Sequence, residues 1–158
     1  MKIVFFDFMD VPAYDCDTPY SKGLGGTQSA ICYYAEVLAK SHDVHVVLSN
    51  CTEQKKIRDV YFEPMTYVTN KVECDVLIWC SGVNKNGRSL LQKYVNSNLS
   101  ICWIPHNTNE PGMNDLEELI YDFDVFAFVS EWQRKKYIDV YGIDVQKTMI
   151  MLLSLIHI

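Results

Sequence analysis

Ser21–Lys40 reads SKGLGGTQSAICYYAEVLAK. A glycine-rich turn runs straight into an amphipathic helix, and the rest of the chain is read outward from that joint. Gly23, Gly25 and Gly26 permit backbone angles that other residues resist, and they put no side chains in the way. Thr27 or Gly26 is placed to cap the helix that follows. Ile31, Tyr34, Ala35 and Leu38 recur at helical spacing, so this face is expected to pack on a sheet. Bare glycines before a helix N-terminus let an anion, above all a phosphate, come close to backbone N–H groups. On this stretch alone, a plain loop before an ordinary helix has equal standing.

The flanking sequence supplies the sheet. Lys2–Phe8 (KIVFFDF) is too short for a helix and rich in aromatic and branched residues, which predicts a buried strand. Met9–Lys22 reads as a long loop containing Pro12, Pro19 and several aspartates, and long loops in compact domains are often functional. Asp43–Ser49 (DVHVVLS) is a second strand, which makes a right-handed βαβ unit with the first. Cys51–Arg58 is polar, and Val60–Val68 holds a short strand interrupted by Pro64. Asp75–Cys80 (DVLIWC) is a buried strand, followed by a turn-rich loop, Ser81–Gly87. Arg88–Asn96 is a helix with Leu90, Leu91 and Tyr94 on its apolar side. Leu99–Pro105 is a strand and His106–Gly112 a polar loop. Asn114–Tyr121 is a short helix that Asn114 caps. Asp124–Val129 is a strand, and Glu131–Tyr141 is a helix stopped by Gly142. Thr148–Leu152 begins one more strand.

Strands alternate with helices, and most strands are apolar runs without strict alternation. This pattern predicts an α/β, Rossmann-like, doubly wound and mostly parallel sheet. Such sheets bind ligands at the carboxyl ends of their strands. The glycine turn, Ser81–Gly87, His106–Gly112 and Ser130 all fall at those ends, which lifts the functional reading of the glycines above the plain one.

The chain has 158 residues, enough for one domain with a real core. A formal net charge of -6 argues against nucleic acid or anionic lipid as a partner of the whole surface, while a local basic patch stays open. None of the six cysteines forms a C-x-x-C pair, so small buried hydrophobes in a reducing compartment are expected. Asp7 interrupts the short apolar run after Lys2, so no signal peptide is expected. No apolar run reaches the ~20 residues that span a bilayer. A cytoplasmic protein is expected.

Several chemistries compete for the predicted site. A dinucleotide fold wants its glycines directly after the first strand and an acid at the end of the second. Here the glycines come late and the second strand ends in Ser49 and Asn50. No P-loop lysine follows Gly25-Gly26. A receiver domain would use Asp7 and Asp10, but no later strand ends in aspartate. Asp10, Asp15 and Asp17 share a loop without metal-ligand spacing, so no metal is assigned. His106 opens the loop after an apolar strand, where it can donate a hydrogen bond or carry charge near neutral pH; a loop-anchoring histidine is the competing reading. His42 and His45 sit at the opposite end of their strand and read as structural or solvated. Ser130 with Gln133 has the capping-box arrangement. Arg134, Lys135 and Lys136 read as a solvated basic face, with peripheral membrane contact as the minority reading.

Five stretches together resemble a known family: KIVFFDF, GLGGTQSAICYYAEVLAK, DVLIWCSG, CWIPHNTNEPG and FAFVSEWQRKKYIDVYGI. In order and spacing they resemble the N-terminal domain of GT-B glycosyltransferases of the retaining group called family 4. The resemblance covers most of the chain. It implies a two-domain enzyme that moves a sugar from a nucleotide diphosphate sugar to a glycan, lipid or small-molecule acceptor. It implies no metal and no cofactor beyond the donor substrate. Gly25, Gly26 and Thr27 would lie near the donor diphosphate and acceptor, His106 near the transferred sugar as the catalytic residue, and Asn107, Ser130 and Gln133 among the substrate-binding groups. The nucleotide clamp of that family belongs to a second domain, so 1–152 would be the acceptor-side half. The stretch 153–158 (LSLIHI) resembles a translated sequencing-library adapter, and is expected to be non-native; a genuine apolar strand is the alternative. A standalone nucleotide- or phosphate-binding module is the rival function.

Overall fold

The computed structural model describes residues 1–80, 85–108 and 115–153. Eight strands form one sheet: β1 (Lys2–Asp7), β2 (Asp43–Leu48), β3 (Lys55–Ile57), β4 (Val60–Pro64), β5 (Val72–Trp79), β6 (Val95–Ile104), β7 (Val125–Phe128) and β8 (Thr148–Ile150). Their spatial order is β3-β4-β2-β1-β5-β6-β7-β8. Every pairing is parallel except β3 with β4. Without the β3 hairpin strand, the order runs outward in both directions from β1, as in a Rossmann-like doubly wound sheet.

The apolar runs explain why the sheet is covered on both faces. In β1, Ile3 and Phe5 enter one core, and Val4 and Phe6 enter the other. Helix α2 (Gly26–Leu38) covers the first face through Ile31 and Ala35, both fully buried. The opposite face is covered by α3 (Lys85–Tyr94), α4 (Leu116–Leu119) and α5 (Glu131–Tyr141), which contribute Leu91, Leu116, Leu119 and Tyr137. Trp79 packs there against Phe6, ring centroids 5.5 Å apart. Met151 and Leu153 extend the first core, where the Trp103 indole donates to the Met151 carbonyl at 3.2 Å.

Five expectations change. The loop after β1 contains one helical turn, α1 (Thr18–Ser21), with Pro19 in its first turn. Lys55–Ile57, read as polar linker, pairs with β4 in a hairpin. Its two turn residues, Arg58 and Asp59, adopt φ of 50° and 64°, the primed-turn geometry that the usual Asn-Gly would have announced. Helix α3 begins at Lys85, inside the expected loop, and ends at Tyr94. Strand β6 then starts at Val95 rather than Leu99. Polar cross-strand pairs extend that ladder: Asn96 donates to Glu73 at 2.8 Å and Asn98 to Asp75 at 3.2 Å. Asp115 is the N-cap of α4, and Asn114 lies outside the described residues.

Gly142 ends α5 with φ 65°. No atom lies within 4 Å of a Cβ built there, so the cost of a side chain is purely backbone. Gly142→Ala should lower stability by about 1 kcal/mol, and Gly142→Asn by less; chemical denaturation of both variants measures it.

Candidate functional site

The carboxyl edge of the sheet is built around Asp7, the last residue of β1 and fully buried. A buried carboxylate must be hydrogen-bonded, and three donors converge on it. Its Oδ1 accepts from the Met9 N–H at 3.1 Å. Its Oδ2 accepts from the Tyr14 hydroxyl at 2.8 Å and the Gln28 amide at 3.5 Å. Burial, then the charge of Asp7, pushes the Tyr14 hydroxyl pKa upward. Burial and then Asp7 do the same to the Cys80 thiol at the end of β5. Asp7 therefore stands beside two groups that stay neutral, at the point where the chain order reverses between β1 and β5.

The loop aspartates are all engaged. Asp15 pairs with Lys55 at 2.8 Å, and Asp17 with Arg58 at 2.8 Å. Asp10 accepts from Asn50 at 3.0 Å. Among the described residues no cluster of histidine, cysteine or acidic side chains is placed to hold a metal ion. The β3–β4 hairpin thus clamps the loop, and Arg58 reaches on to Glu36 of α2 at 3.1 Å.

Gly25 is the N-cap of α2, in place of the expected Gly26 or Thr27, and no side chain caps the helix. The ladder begins with Ser29 N–H donating to Gly25 O at 2.9 Å. The N–H groups of Gly26, Thr27 and Gln28 precede it and make no hydrogen bond among the described residues. None of Gly23, Gly25 and Gly26 has a positive φ. The reason for glycine is spatial at Gly25, where a Cβ would meet Gln28 Oε1 at 2.5 Å. Around Gly26 there is open space. A cavity of about 420 Å³ opens between Val11–Ala13 and the Lys22–Gly25 turn, with Thr18 and Gln28 in its wall. Lys22 is the one charged side chain lining it, and it has no ion-pair partner among the described residues.

His106 lies beyond the end of β6. Its imidazole is half-exposed and makes no hydrogen bond to a described residue. Its backbone is held tightly, since its carbonyl accepts from Gln133 Nε2 at 2.6 Å and from the Tyr137 hydroxyl at 2.9 Å. Ser130 caps α5, accepting from the Gln133 N–H at 3.1 Å. Gln133 Oε1 accepts from Val129 N–H at 2.8 Å, one residue before the position a capping box would use. Gln133 is buried and both ends of its amide are spent internally, so it positions His106. Asn107 Oδ1 accepts from Lys136 at 2.9 Å and from the Thr108 N–H at 2.8 Å. These residues form one cluster. No hydrogen bond joins it to the glycine turn among the described residues, and β5 lies between β1 and β6. Residues 81–84 and 109–114, which follow β5 and β6 at this edge, lie outside the described residues.

Two groups went unrecognised in the sequence. Asp7 reads as an interruption of a signal-peptide run and as a candidate receiver acid, although an acid inside a run buried on both faces is itself the signal of a satisfied network. Gln28 faces the sheet's edge at a helical position where polarity looked incidental. Of the two readings of His45, structural or solvated, the structure shows the first: the residue is buried, its Nδ1 lies 2.9 Å from buried Glu63, and the ring stacks on Tyr61 and Tyr67.

Comparison with protein-family models and with curated proteins returns no match.

Two neighbouring glycines should respond oppositely. Gly25→Ala must displace the flexible end of Gln28, whose bond to Asp7 is already 3.5 Å long, and should cost about 0.5–1 kcal/mol. Gly26→Ala, in open space at the first turn of a helix, should be neutral or stabilising by up to about 1 kcal/mol. Urea denaturation of the pair, with wild type alongside, reads both.

Proposed function

We propose that this chain is the acceptor-side half of a retaining glycosyltransferase that uses a nucleotide diphosphate sugar. The observation that carries the reading is the N-terminus of α2, which no side chain caps among the described residues, beside an open cavity whose one charged lining residue, Lys22, has no ion-pair partner among them. Three N–H groups that make no hydrogen bond among the described residues, together with the helix dipole, favour an anion there. Preorganised donors of this kind stabilise charge developing on a leaving diphosphate. The resemblance to GT-B enzymes supports the same assignment, and the Rossmann-like fold is compatible with it.

In this reading Gly25 and Gly26 admit the diphosphate to the helix terminus, and Lys22 adds a positive charge. His106, held by its backbone with its imidazole unengaged, donates a hydrogen bond to the transferred sugar. Gln133 and Tyr137 fix where that imidazole stands. Ser130 and Asn107 shape the loop, and Thr27 supplies an N–H rather than its hydroxyl. The acceptor is a glycan, lipid or small molecule, and a second domain supplies the clamp for the nucleotide. We place the work of the protein in the cytoplasm. No helix of the described residues is long and apolar enough to cross a membrane.

The rival, a phosphate- or nucleotide-binding module without catalysis, draws on the same helix terminus and needs nothing from His106. The two part in one set of titrations. Calorimetry with pyrophosphate, nucleotide diphosphate sugars and NAD should show binding of the first two and none of the last. Lys22→Ala should weaken it ~5-fold or more, as expected for one charge contact. His106→Ala should weaken binding of the nucleotide sugar while leaving pyrophosphate unchanged. Equal loss of neither ligand in His106→Ala favours the module, and tight NAD binding sinks both. Sugar transfer by this chain alone at ~1 per second would contradict the half-site reading.

A further inference from the structure

We propose that Cys16 and Cys32 are a redox pair whose disulfide clips the glycine turn to helix α2. Cys16 stands just before the helical turn α1 and Cys32 lies within α2, and both are fully buried. The two residues interlock. The Cys16 thiol donates to the Cys32 carbonyl at 3.6 Å, and the Cys32 thiol donates to the Asp15 carbonyl at 3.3 Å.

The neighbours of Cys16 hold it in place, since Lys55 pins Asp15 and Arg58 pins Asp17. Other candidate pairings lack this geometry. Cys80 directly follows β5 and Cys102 lies on the adjacent β6, but they enter opposite cores, one on each face of the sheet. The thiol of Cys51 is turned to the Glu53 carbonyl.

The position gives the bond a consequence. Thr18, Lys22, Gly23, Leu24, Gly25 and Gln28, which line the cavity, all lie between the two cysteines. A bond from 16 to 32 would fix that wall to the helix whose terminus it flanks, whatever ligand the cavity takes. This inference does not depend on the sugar-transfer reading.

The oxidant is a low-molecular-weight disulfide such as oxidised glutathione. One cysteine, as thiolate, attacks it, forming a mixed disulfide and releasing one glutathione thiolate, which takes up a proton. The second cysteine then attacks the protein sulfur of the mixed disulfide and displaces the other glutathione. Two thiols are oxidised and one disulfide is reduced to two thiols. Contact with Cys16 and burial both hold the Cys32 thiol protonated, so the closed protein reacts slowly and the turn must open first.

The test refolds the reduced full chain in mixtures of oxidised and reduced glutathione, which exposes every thiol before burial. Acid quenching, alkylation and digestion without reductant follow, read by mass spectrometry. The expected result is a Cys16–Cys32 peptide as the dominant linkage. The oxidised chain should melt about 5–10 °C above the reduced one, and Cys16→Ser and Cys32→Ser should each abolish that rise. Both cysteines recovered alkylated in excess oxidised glutathione, or another linkage dominating, overturns the proposal. Should either variant fail to fold, the linked peptide in wild type decides alone.

Discussion

Asp7 is a negative group with no access to solvent at the end of the central strand. Hydrogen bonds to a charged group contribute roughly 1.5–3 kcal/mol each, and leaving such a group bare costs more. The donors that meet this demand come from three places in the chain: Met9 in the exit from β1, Tyr14 in the loop and Gln28 in α2. Satisfying one carboxylate therefore folds the loop back over the strand and sets the rotation of the helix. The contact of Gln28 against Gly25 carries the same constraint to the turn, where any side chain would collide with the amide. From the outside the loop is held a second time, by Lys55 and Arg58 of the hairpin.

The same edge shows two ways of ending a strand–helix joint. At α5, Ser130 caps the helix, Gly142 stops it, and the amide of Gln133 ties it to the loop after β6. That joint is closed and rigid. At α2 the cap is a glycine without a side chain, and the first N–H groups make no hydrogen bond among the described residues. A helix that leaves those donors to water in one place and not in another is suited to an exchangeable anion. The contrast supports a binding role for the glycine turn and a positioning role for the Ser130–Gln133 pair.

Much of the fold was legible because burial on both faces demands continuous apolar runs, and KIVFFD, DVHVVL and VFAF supply them. The signals that failed were those not carried by hydropathy. The ladder of β5 with β6 continues through Asn96 and Asn98 by side-chain hydrogen bonds. The β3–β4 hairpin turns on Arg58-Asp59, a pair with no propensity to flag it. At the candidate site the residue types were legible but their roles were not. Gln133 reads as half of a capping box, and only the family resemblance makes it a ligand contact; its burial, which sequence does not display, makes it a support. Asp7, placed in the first strand by its sequence, likewise shows its role only through its burial.

The claim that one buried carboxylate organises the glycine turn is open to a direct measurement, hydrogen exchange in Asp7→Asn. The substitution keeps the size of the side chain but sets an NH₂ group against donors that had met an oxygen. Faster exchange confined to Met9 to Ser29, with β6 to β8 as protected as in wild type, is the result this account predicts. Unchanged protection in that segment, or an equal loss across all strands, would contradict it.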